Sequence, residues 1–422
     1  MPRQELIDHN TTQCAKSVVS LGPGLWTAVG YAASTQHMVE GRNSVTIIDT
    51  SESTGAATAV LAAFRERCHK PVGRIIYTHS HRDHISGATV FAGDADIPII
   101  ASSGFQSDLV GQDPDAVAPN AALNRRTQAQ FGIGLAPHER VSLGCGPGDR
   151  PMQGMGAGHI PPNVQIAADQ DIDLDGIAAR LVMAPGETGD TMAVWLPEAR
   201  VLFPGDNWYH AFPNLYAIRG TPYRDFAAWA DTLARLAELG AEVLAPGHTM
   251  PVFGADKVRT VLTTTEDAIR EIMRQTARMM DEGRSLDDIT ASVALPPNLA
   301  ALPWLGEFYG MVGWSARAYA VGTLGWYDGN PTNLGVLTTA KRAAHMAALA
   351  GGPDGLARAA AQTDDLQWRL ELCDALIALG EPAHARKAET LEQLAEATVN
   401  APARNSYLWH AAALRRQAGE PQ

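Results

Sequence analysis

The string Thr78-His79-Ser80-His81-Arg82-Asp83-His84 puts three imidazoles and one carboxylate within six positions. It follows directly on the short apolar run Arg74-Ile75-Ile76-Tyr77-Thr78 and stands just before Gly87. A loop leaving a strand can turn such side chains toward one point, and neutral imidazole nitrogen and carboxylate oxygen are good zinc ligands. A single His-x-His pair would carry little weight, because surface histidines are common. The complete His-x-His-x-Asp-His string behind a strand points to a metal site rather than a solvated loop.

Three later segments offer further ligands at strand ends: Glu187 in Ala184-Pro185-Gly186-Glu187-Thr188-Gly189-Asp190, Asp206 in Phe203-Pro204-Gly205-Asp206-Asn207, and His248 in Ala245-Pro246-Gly247-His248-Thr249. In each a glycine precedes the polar residue, which is expected to let the backbone turn sharply beside a ligand. Taken singly, Asp206 reads as a turn cap, Glu187 as a solvated carboxylate and His248 as a satisfied loop histidine. As an ordered set behind the histidine string, they read as further ligands, with which the cluster could hold two metals.

The elements that must position these residues follow from periodicity. Trp26-Thr27-Ala28-Val29 reads as a first strand, and Glu40-Gly41-Arg42-Asn43 as the turn of a hairpin joining Gln36–Val39 to Val45–Ile48. A helix is expected from Gly55 to Cys68, with Val60, Leu61 and Phe64 at helical spacing. Strand runs are also expected at Ala179–Met183, Met192–Leu196, Ala199–Phe203 and Glu242–Ala245. This order of strands and helices predicts an α/β sandwich. Residues from about 100 to 170, rich in Gly, Pro, Asn and Gln, are expected to form either a long surface loop or a lid bordering the substrate. From about residue 256 the pattern turns helical and Ala-rich, and its stripe of Ile269, Ile272, Met273 and Met280 reads as core packing. Two domains are therefore expected, residues 1–255 and 256–422.

Composition narrows the function classes. Across 422 residues there are 33 basic and 46 acidic side chains, a net charge of −13, with no basic stripe for phosphate contacts. With 45% hydrophobic and 19% charged residues the chain buries a sizeable core. No run approaches the roughly 18 apolar residues of a membrane span. The opening residues lack a signal pattern, and Cys14, Cys68, Cys145 and Cys373 form no Cys-x-x-Cys pair. These features predict reduced thiols and a cytoplasmic enzyme with no nucleic-acid partner and no membrane span.

The histidine string and its downstream partners resemble the metallo-β-lactamase superfamily and, within it, the alkylsulfatases, which like this chain have Glu187 after the Pro-Gly turn where most of the superfamily has His. Further similarity lies in Ala28-Val29-Gly30-Tyr31-Ala32 with Met38-Val39-Glu40-Gly41, in Asn124-Arg125-Arg126-Thr127-Gln128 and in Asn214-Leu215-Tyr216-Ala217-Ile218-Arg219-Gly220. The helical part contributes Phe308-Tyr309-Gly310 and Leu324-Gly325-Trp326-Tyr327-Asp328-Gly329-Asn330-Pro331. The resemblance implies an αββα sandwich followed by an all-α dimerisation domain, a homodimer, and two zinc ions per subunit. His79, His81 and Glu187 would hold one zinc, Asp83, His84 and His248 the other, and Asp206 would bridge them. Asn214 and Arg219 would hold a sulfate group, making Asp83, Asp206, Asn214 and Arg219 the catalytic set and an alkyl sulfate ester the substrate. The physical sense is sound, since Arg offers a fixed fork of donors to a tetrahedral oxyanion.

The chain departs from the family at several places. Asp206 replaces the usual bridging Glu, Pro213 stands where a His often precedes the Asn, and Phe226-Ala227-Ala228 replaces a His after the Arg-Asp pair, here Arg224-Asp225. His210 and Tyr223 are then the candidates to protonate a leaving alkoxide, with structural roles equally open to both. No C-terminal lipid-binding-like domain follows, so access for long alkyl chains is expected to differ. The alternatives are another hydrolase on the same scaffold (lactonase, β-lactamase or phosphoester hydrolase) and a dimerising metal-binding protein without turnover.

Overall fold

The computed structural model of the chain describes residues 1–106 and 120–419. A short helix α1 (Gln4–Gln13) leads into a seven-stranded sheet whose strands lie in chain order: β1 (Ser17–Gly22), β2 (Leu25–Val29), β3 (Gln36–Glu40), β4 (Val45–Ile48), β5 (Val72–Ile76), β6 (Ile99–Ser102) and β7 (Val164–Ile166). The first four strands form an antiparallel meander, and β4 to β7 run parallel. Parallel pairs need crossovers. These carry α2 (Thr54–Arg65), then α3 (Arg82–Ile85) and α4 (Ala88–Ala92), then α5 (Asn120–Gln130). The second sheet has six strands, β8 (Gln170–Asp173), β9 (Ala178–Met183), β10 (Met192–Leu196), β11 (Val201–Phe203), β12 (Val243–Leu244) and β13 (Val252–Phe253), again in chain order. Only its β11–β12 pair is parallel, spanned by α6 (Phe226–Ala237).

The two sheets pack face to face through Val39, Ile48, Ile76 and Ile100 of the first and Leu181, Val194, Phe203 and Val243 of the second. The alternate residues Val45, Ile47 and Ile75 face outward and are covered by Val60 and Phe64 of α2. Strands buried on both faces read as continuous apolar runs, which is the pattern of β4 and β5. On the far side, Trp229 and Leu233 of α6 and Val261 and Ile269 of α7 (Ala255–Asp281) cover Val182, Leu202 and Leu244. The layers are therefore helix, sheet, sheet, helix, as expected, and the Ile269 and Ile272 stripe is core packing.

Beyond α7 the chain is helical: α8 (Leu286–Ser292), α9 (Pro297–Ala300), α10 (Val312–Leu324), α11 (Thr339–Leu349), α12 (Pro353–Gln362), α13 (Leu366–Ala378), α14 (His384–Ala397) and α15 (Ala401–Gln417). Ala343, Leu356, Leu372 and Leu376 form a separate small core among α11 to α13. The last helix returns to the sandwich and packs on α5. No helix among the described residues is long and apolar enough to cross a membrane.

The stretch from 100 to 170 differs from its expectation. It contains β6, α5 and β7, and of its Gly-rich parts residues 142–148 are buried while residues 153–157 are half-buried to exposed; residues 107–119 lie outside the described residues. Ser142, Leu143 and Cys145 are buried, Thr54 N–H donates to the Gly154 carbonyl, and Gly156 N–H donates to that of Glu52. A buried ion pair, Arg150 Nε to Glu52 Oε1 at 2.6 Å, pins it, while Glu52 Oε2 accepts Ala33 N–H at 2.7 Å. The small residues there serve close backbone packing, which composition alone reads as a loop.

Candidate active site

Every ligand candidate stands at the end of a strand, on the edge where loops of both sheets meet. Beyond β5 the chain enters Thr78 and the histidine string. Beyond β4 it enters Asp49, whose φ of 61° is unusual for a non-glycine residue. The buried Asp49 carboxylate accepts the Thr78 N–H, the Thr78 hydroxyl and His84 Nδ1–H, each at 2.8 Å. The Thr78 oxygen, having donated its own hydrogen, accepts His79 Nδ1–H at 3.0 Å. His248 donates Nδ1–H to the Ala33 carbonyl at 2.7 Å. In His79, His84 and His248 the Nδ1 proton is thereby fixed and the Nε2 lone pair is turned to the site, the outer-partner arrangement of a metal-binding histidine.

The nitrogen and carboxylate atoms gather in two groups, His79 with His81 and Asp206, and Asp83 with His84 and His248, each with its ligand atoms within 4.8 Å of one another. Asp206 stands between them. Its Oδ2 lies 3.5 Å from His79 Nε2 and 3.0 Å from His248 Nε2, and its Oδ1 lies 3.3 Å from His84 Nε2. Asp83 Oδ2 is 3.5 Å from His84 Nε2 and 3.4 Å from His248 Nε2. Glu187 Oε1 is 3.9 Å from His81 Nδ1. Burial opposes the charged form of every group here. The carboxylates of Asp206, Asp83 and Asp49 overcome it at His84 and raise its pKa, whereas burial and His84 lower that of His79. Burial pushes Glu187 up to about 7 against the pull of Arg224, while His248, His84 and His79 hold Asp206 well below the usual carboxylate range.

This donor set fits a pair of divalent cations. His84 Nε2, Asp206 Oδ1 and Glu187 Oε2 are buried atoms without a hydrogen-bond partner among the described residues, and all three belong to ligand candidates. Uncompensated buried polar atoms are costly, and a cation shared by imidazoles and carboxylates relieves the cost. Mixed nitrogen and oxygen donors with no sulfur are what zinc and its neighbours accept.

The glycines preceding the ligands act in more than one way. Gly205 has a φ of +60°, so it makes the sharp turn expected of it. Gly247 does not; a Cβ there would come within 2.2 Å of Asp206 Oδ1, so its role is to let the His248 loop approach the carboxylate.

The oxyanion candidates lie beside the first group. Arg219 Nη2 is 3.3 Å from His81 Nε2, and the Arg219 N–H donates to Gln130 Oε1 at 2.8 Å. Asn214 is buried, and its N–H donates to the Tyr209 hydroxyl at 2.8 Å. Arg224, which the sequence showed only as half of an Arg-Asp pair, is buried and links them: Nη1 contacts Glu187 Oε1 at 2.9 Å and also donates to the Asn214 carbonyl. Its Nε and Nη2 have no partner among the described residues. Asp49 was missed as well, although an acidic residue directly after a buried strand was the available signal. His210 and Tyr223 both make packing contacts. The His210 carbonyl accepts from His9 and its ring packs on Trp208, while Tyr223 stacks on Phe226 at the surface. Phe226 itself is fully buried in the core, so that position faces away from solvent.

Comparison with known proteins gives the family. The metallo-beta-lactamase superfamily profile matches residues 30–248, and the alkyl sulfatase dimerisation profile matches residues 285–417. A linear primary-alkylsulfatase of Pseudomonas sp. (strain ATCC 19151) is 33% identical over 387 residues, covering 89% of this chain and 72% of that protein. An (R)-specific secondary-alkylsulfatase of Pseudomonas sp. is 31% identical, covering 93% of this chain and 62% of its own length. The solved structure of the stereoselective inverting sec-alkylsulfatase Pisa1 from Pseudomonas sp. superposes with a TM-score of 0.84 at 29% identity, covering 96% of this chain and 66% of that one. The chain thus spans roughly three fifths to three quarters of the length of these relatives. With both profiles matched in order along the chain and a relative 33% identical over most of both lengths, the chain belongs to the alkylsulfatase family of the metallo-β-lactamase superfamily, a family of metal-dependent hydrolases.

Proposed function

We propose that the protein hydrolyses alkyl sulfate monoesters with two zinc ions per subunit. The observation that carries this reading is the juxtaposition of two ligand groups sharing Asp206 with a guanidinium, that of Arg219, 3.3 Å from His81. His79, His81 and Glu187 would hold one ion and Asp83, His84 and His248 the other, with Asp206 between. Bound zinc supplies Lewis-acid polarisation and lowers the pKa of water toward neutrality. With His81 Nδ1 serving as a ligand, its Nε2 would carry the proton and would not accept from Arg219, whose fork would be free to hold the sulfate. Asn214 adds a neutral donor, and Arg224 compensates the buried Glu187 carboxylate. Asp83, with a side chain 28% exposed against 3% for Asp206, is the carboxylate open to an incoming water and its proton. Relatives named as linear primary and secondary alkylsulfatases support a sulfate ester as substrate.

The division between catalytic and dimerisation domains proposed at residue 255 follows the change of sequence pattern at the start of α7; α7 itself still packs on the sandwich, and the dimerisation profile begins at residue 285. At the end of α10 and in the segment leading to α11, Leu324, Trp326, Leu334 and Val336 expose apolar side chains, which supports a homodimer. The four buried free cysteines support a cytoplasmic location.

The test is sulfate release from dodecyl sulfate together with metal analysis. Glu187→Ala is expected to lose zinc. Arg219→Ala is expected to keep it and to lose about a hundredfold or more in turnover, the scale of removing one oxyanion donor. Full activity of Arg219→Ala refutes the sulfate-holding role. Turnover of a lactone or lactam reporter without sulfate release refutes the substrate class.

A further inference from the structure

The last helix turns a polar face toward the catalytic part. Asn400 at its N-cap, Arg404 and Asn405 are 1%, 5% and 1% exposed, and all three donate to backbone carbonyls of distant segments. Asn400 Nδ2 faces the carbonyls of Glu307 and Tyr309 at 2.9 Å each and of Gly310 at 3.3 Å, while its Oδ1 caps the helix by accepting Ala403 N–H at 2.9 Å. The segment it grips is bonded in turn to the loop before Asn214. Phe212 N–H donates to the Gly306 carbonyl at 2.7 Å, and Gly310 N–H to that of Phe212 at 3.0 Å. The contact is so close that a Cβ on Gly310 would lie 2.1 Å from the Pro213 carbonyl oxygen. From the same segment, Tyr309 packs edge-on against Tyr209, whose hydroxyl accepts the Asn214 N–H.

A second line runs to Arg219. Asn405 Nδ2 donates to the Ser142 carbonyl at 3.2 Å and to the Gln130 carbonyl at 3.4 Å. Gln130, 1% exposed, uses its side-chain Oε1 to accept the Arg219 N–H at 2.8 Å. Arg404 bonds the Glu139 carbonyl between these two points. Buried amides are costly unless satisfied, and an apolar helix face would pack the same surface without that risk. What the amides add is direction, because they fix particular carbonyls of the two segments that end in Asn214 and Arg219.

We propose that Asn400 and Asn405 are positioning residues for sulfate-ester recognition: the dimerisation domain sets the spacing of Asn214 and Arg219 through the 306–310 segment and Gln130. This rests on the reading of those two residues as the sulfate holders. It makes the helical domain part of the substrate site and not only a means of association.

The test uses the full-length zinc-loaded protein and three variants. Asn400→Asp keeps the size and the acceptor that caps the helix but cannot donate to the three carbonyls. Asn405→Leu removes the second tether. Gln130→Met removes the Arg219 acceptor without touching the helix, so the test survives misfolding of either helix variant. Hydrogen exchange of the 208–224 segment is expected to rise about tenfold or more in each, while that of 76–87 stays unchanged. The KM for dodecyl sulfate and the inhibition constant for inorganic sulfate are expected to rise together by about tenfold, with zinc content unchanged and kcat within about threefold. Wild-type exchange in 208–224 overturns the proposal, and so does raised exchange with unchanged KM and sulfate inhibition. Should the wild-type protein release no sulfate from any alkyl sulfate, the substrate reading fails on its own, and the exchange measurement still decides whether the tether exists.

Discussion

Replacing Asp49 by asparagine perturbs the outer support of the metal-site histidines without removing any ligand. The Asp49 side chain is fully buried and receives three hydrogens, from Thr78 N, Thr78 Oγ1 and His84 Nδ1, each at 2.8 Å. Asparagine must point its NH2 at one side of this set. If it faces the Thr78 amide, donor opposes donor in a site closed to water. If it faces His84, Nδ1 becomes the acceptor and the proton moves to Nε2, the atom 3.3 Å from Asp206 Oδ1 that would otherwise bind the cation. The first arrangement disturbs Thr78, whose hydroxyl fixes His79 Nδ1–H, and the second disturbs His84 and that hydroxyl together, so the outer support of at least one metal-site histidine is lost.

Loss of an outer-shell partner typically costs about 10- to 100-fold in metal affinity. That is about 1.4 to 2.7 kcal/mol, on the scale of one to two pKa units of differential interaction. Competition against a chromophoric chelator measures it directly. The wild-type protein is expected to titrate with two zinc equivalents and Asp49→Asn with at least one of them weakened. Two equivalents at wild-type affinity in the variant would refute the claim that Asp49 sets the His84 tautomer.

Two stability predictions follow from buried charge. Arg150→Met leaves Glu52 buried without its cation, so unfolding free energy is expected to fall by about 3–5 kcal/mol in a urea titration, with partial recovery on adding Glu52→Gln. His9 is buried against Phe308, and burial pushes its pKa from 6.5 down to about 4 despite the acceptor carbonyl of His210. The unfolded chain therefore binds the extra proton first; the contribution of His9 is complete above about pH 6.5 and is lost as pH falls toward 4. His9→Phe is expected to lose up to about 3 kcal/mol less than the wild type between pH 7 and pH 4, and parallel pH profiles of unfolding would contradict this.

The residues legible in the sequence share a property: their signal is local. His79, His81, Asp83 and His84 fall in one string because one loop leaves one strand, and Glu187, Asp206 and His248 each follow a Pro-Gly pair at a strand end. The sandwich was legible for the same reason, since Ile47–Ile48 and Ile75–Ile76 are buried on both faces and leave an uninterrupted apolar run. Asp49 was not, because its partners Thr78 and His84 lie 29 and 35 residues away and an aspartate after a strand looks like any turn former. Helix α5 was read as loop because its short, mostly exposed sequence carries no apolar stripe, and its buried end consists of the small Ala129 and the polar Gln130. Periodicity likewise assigns Asn400, Arg404 and Asn405 to solvent, since it counts them as polar whatever they bond. The division follows from chemistry. An atom that binds a cation must be a nitrogen or oxygen of a few residue types at short spacing, so it leaves a pattern. An atom that aims such a ligand needs only to meet a ring nitrogen or a backbone carbonyl, and every residue in the chain supplies a carbonyl. Substitutions that change what the enzyme accepts while leaving its metals in place are therefore expected among residues such as Gln130, Asn400 and Asn405 rather than within the histidine string.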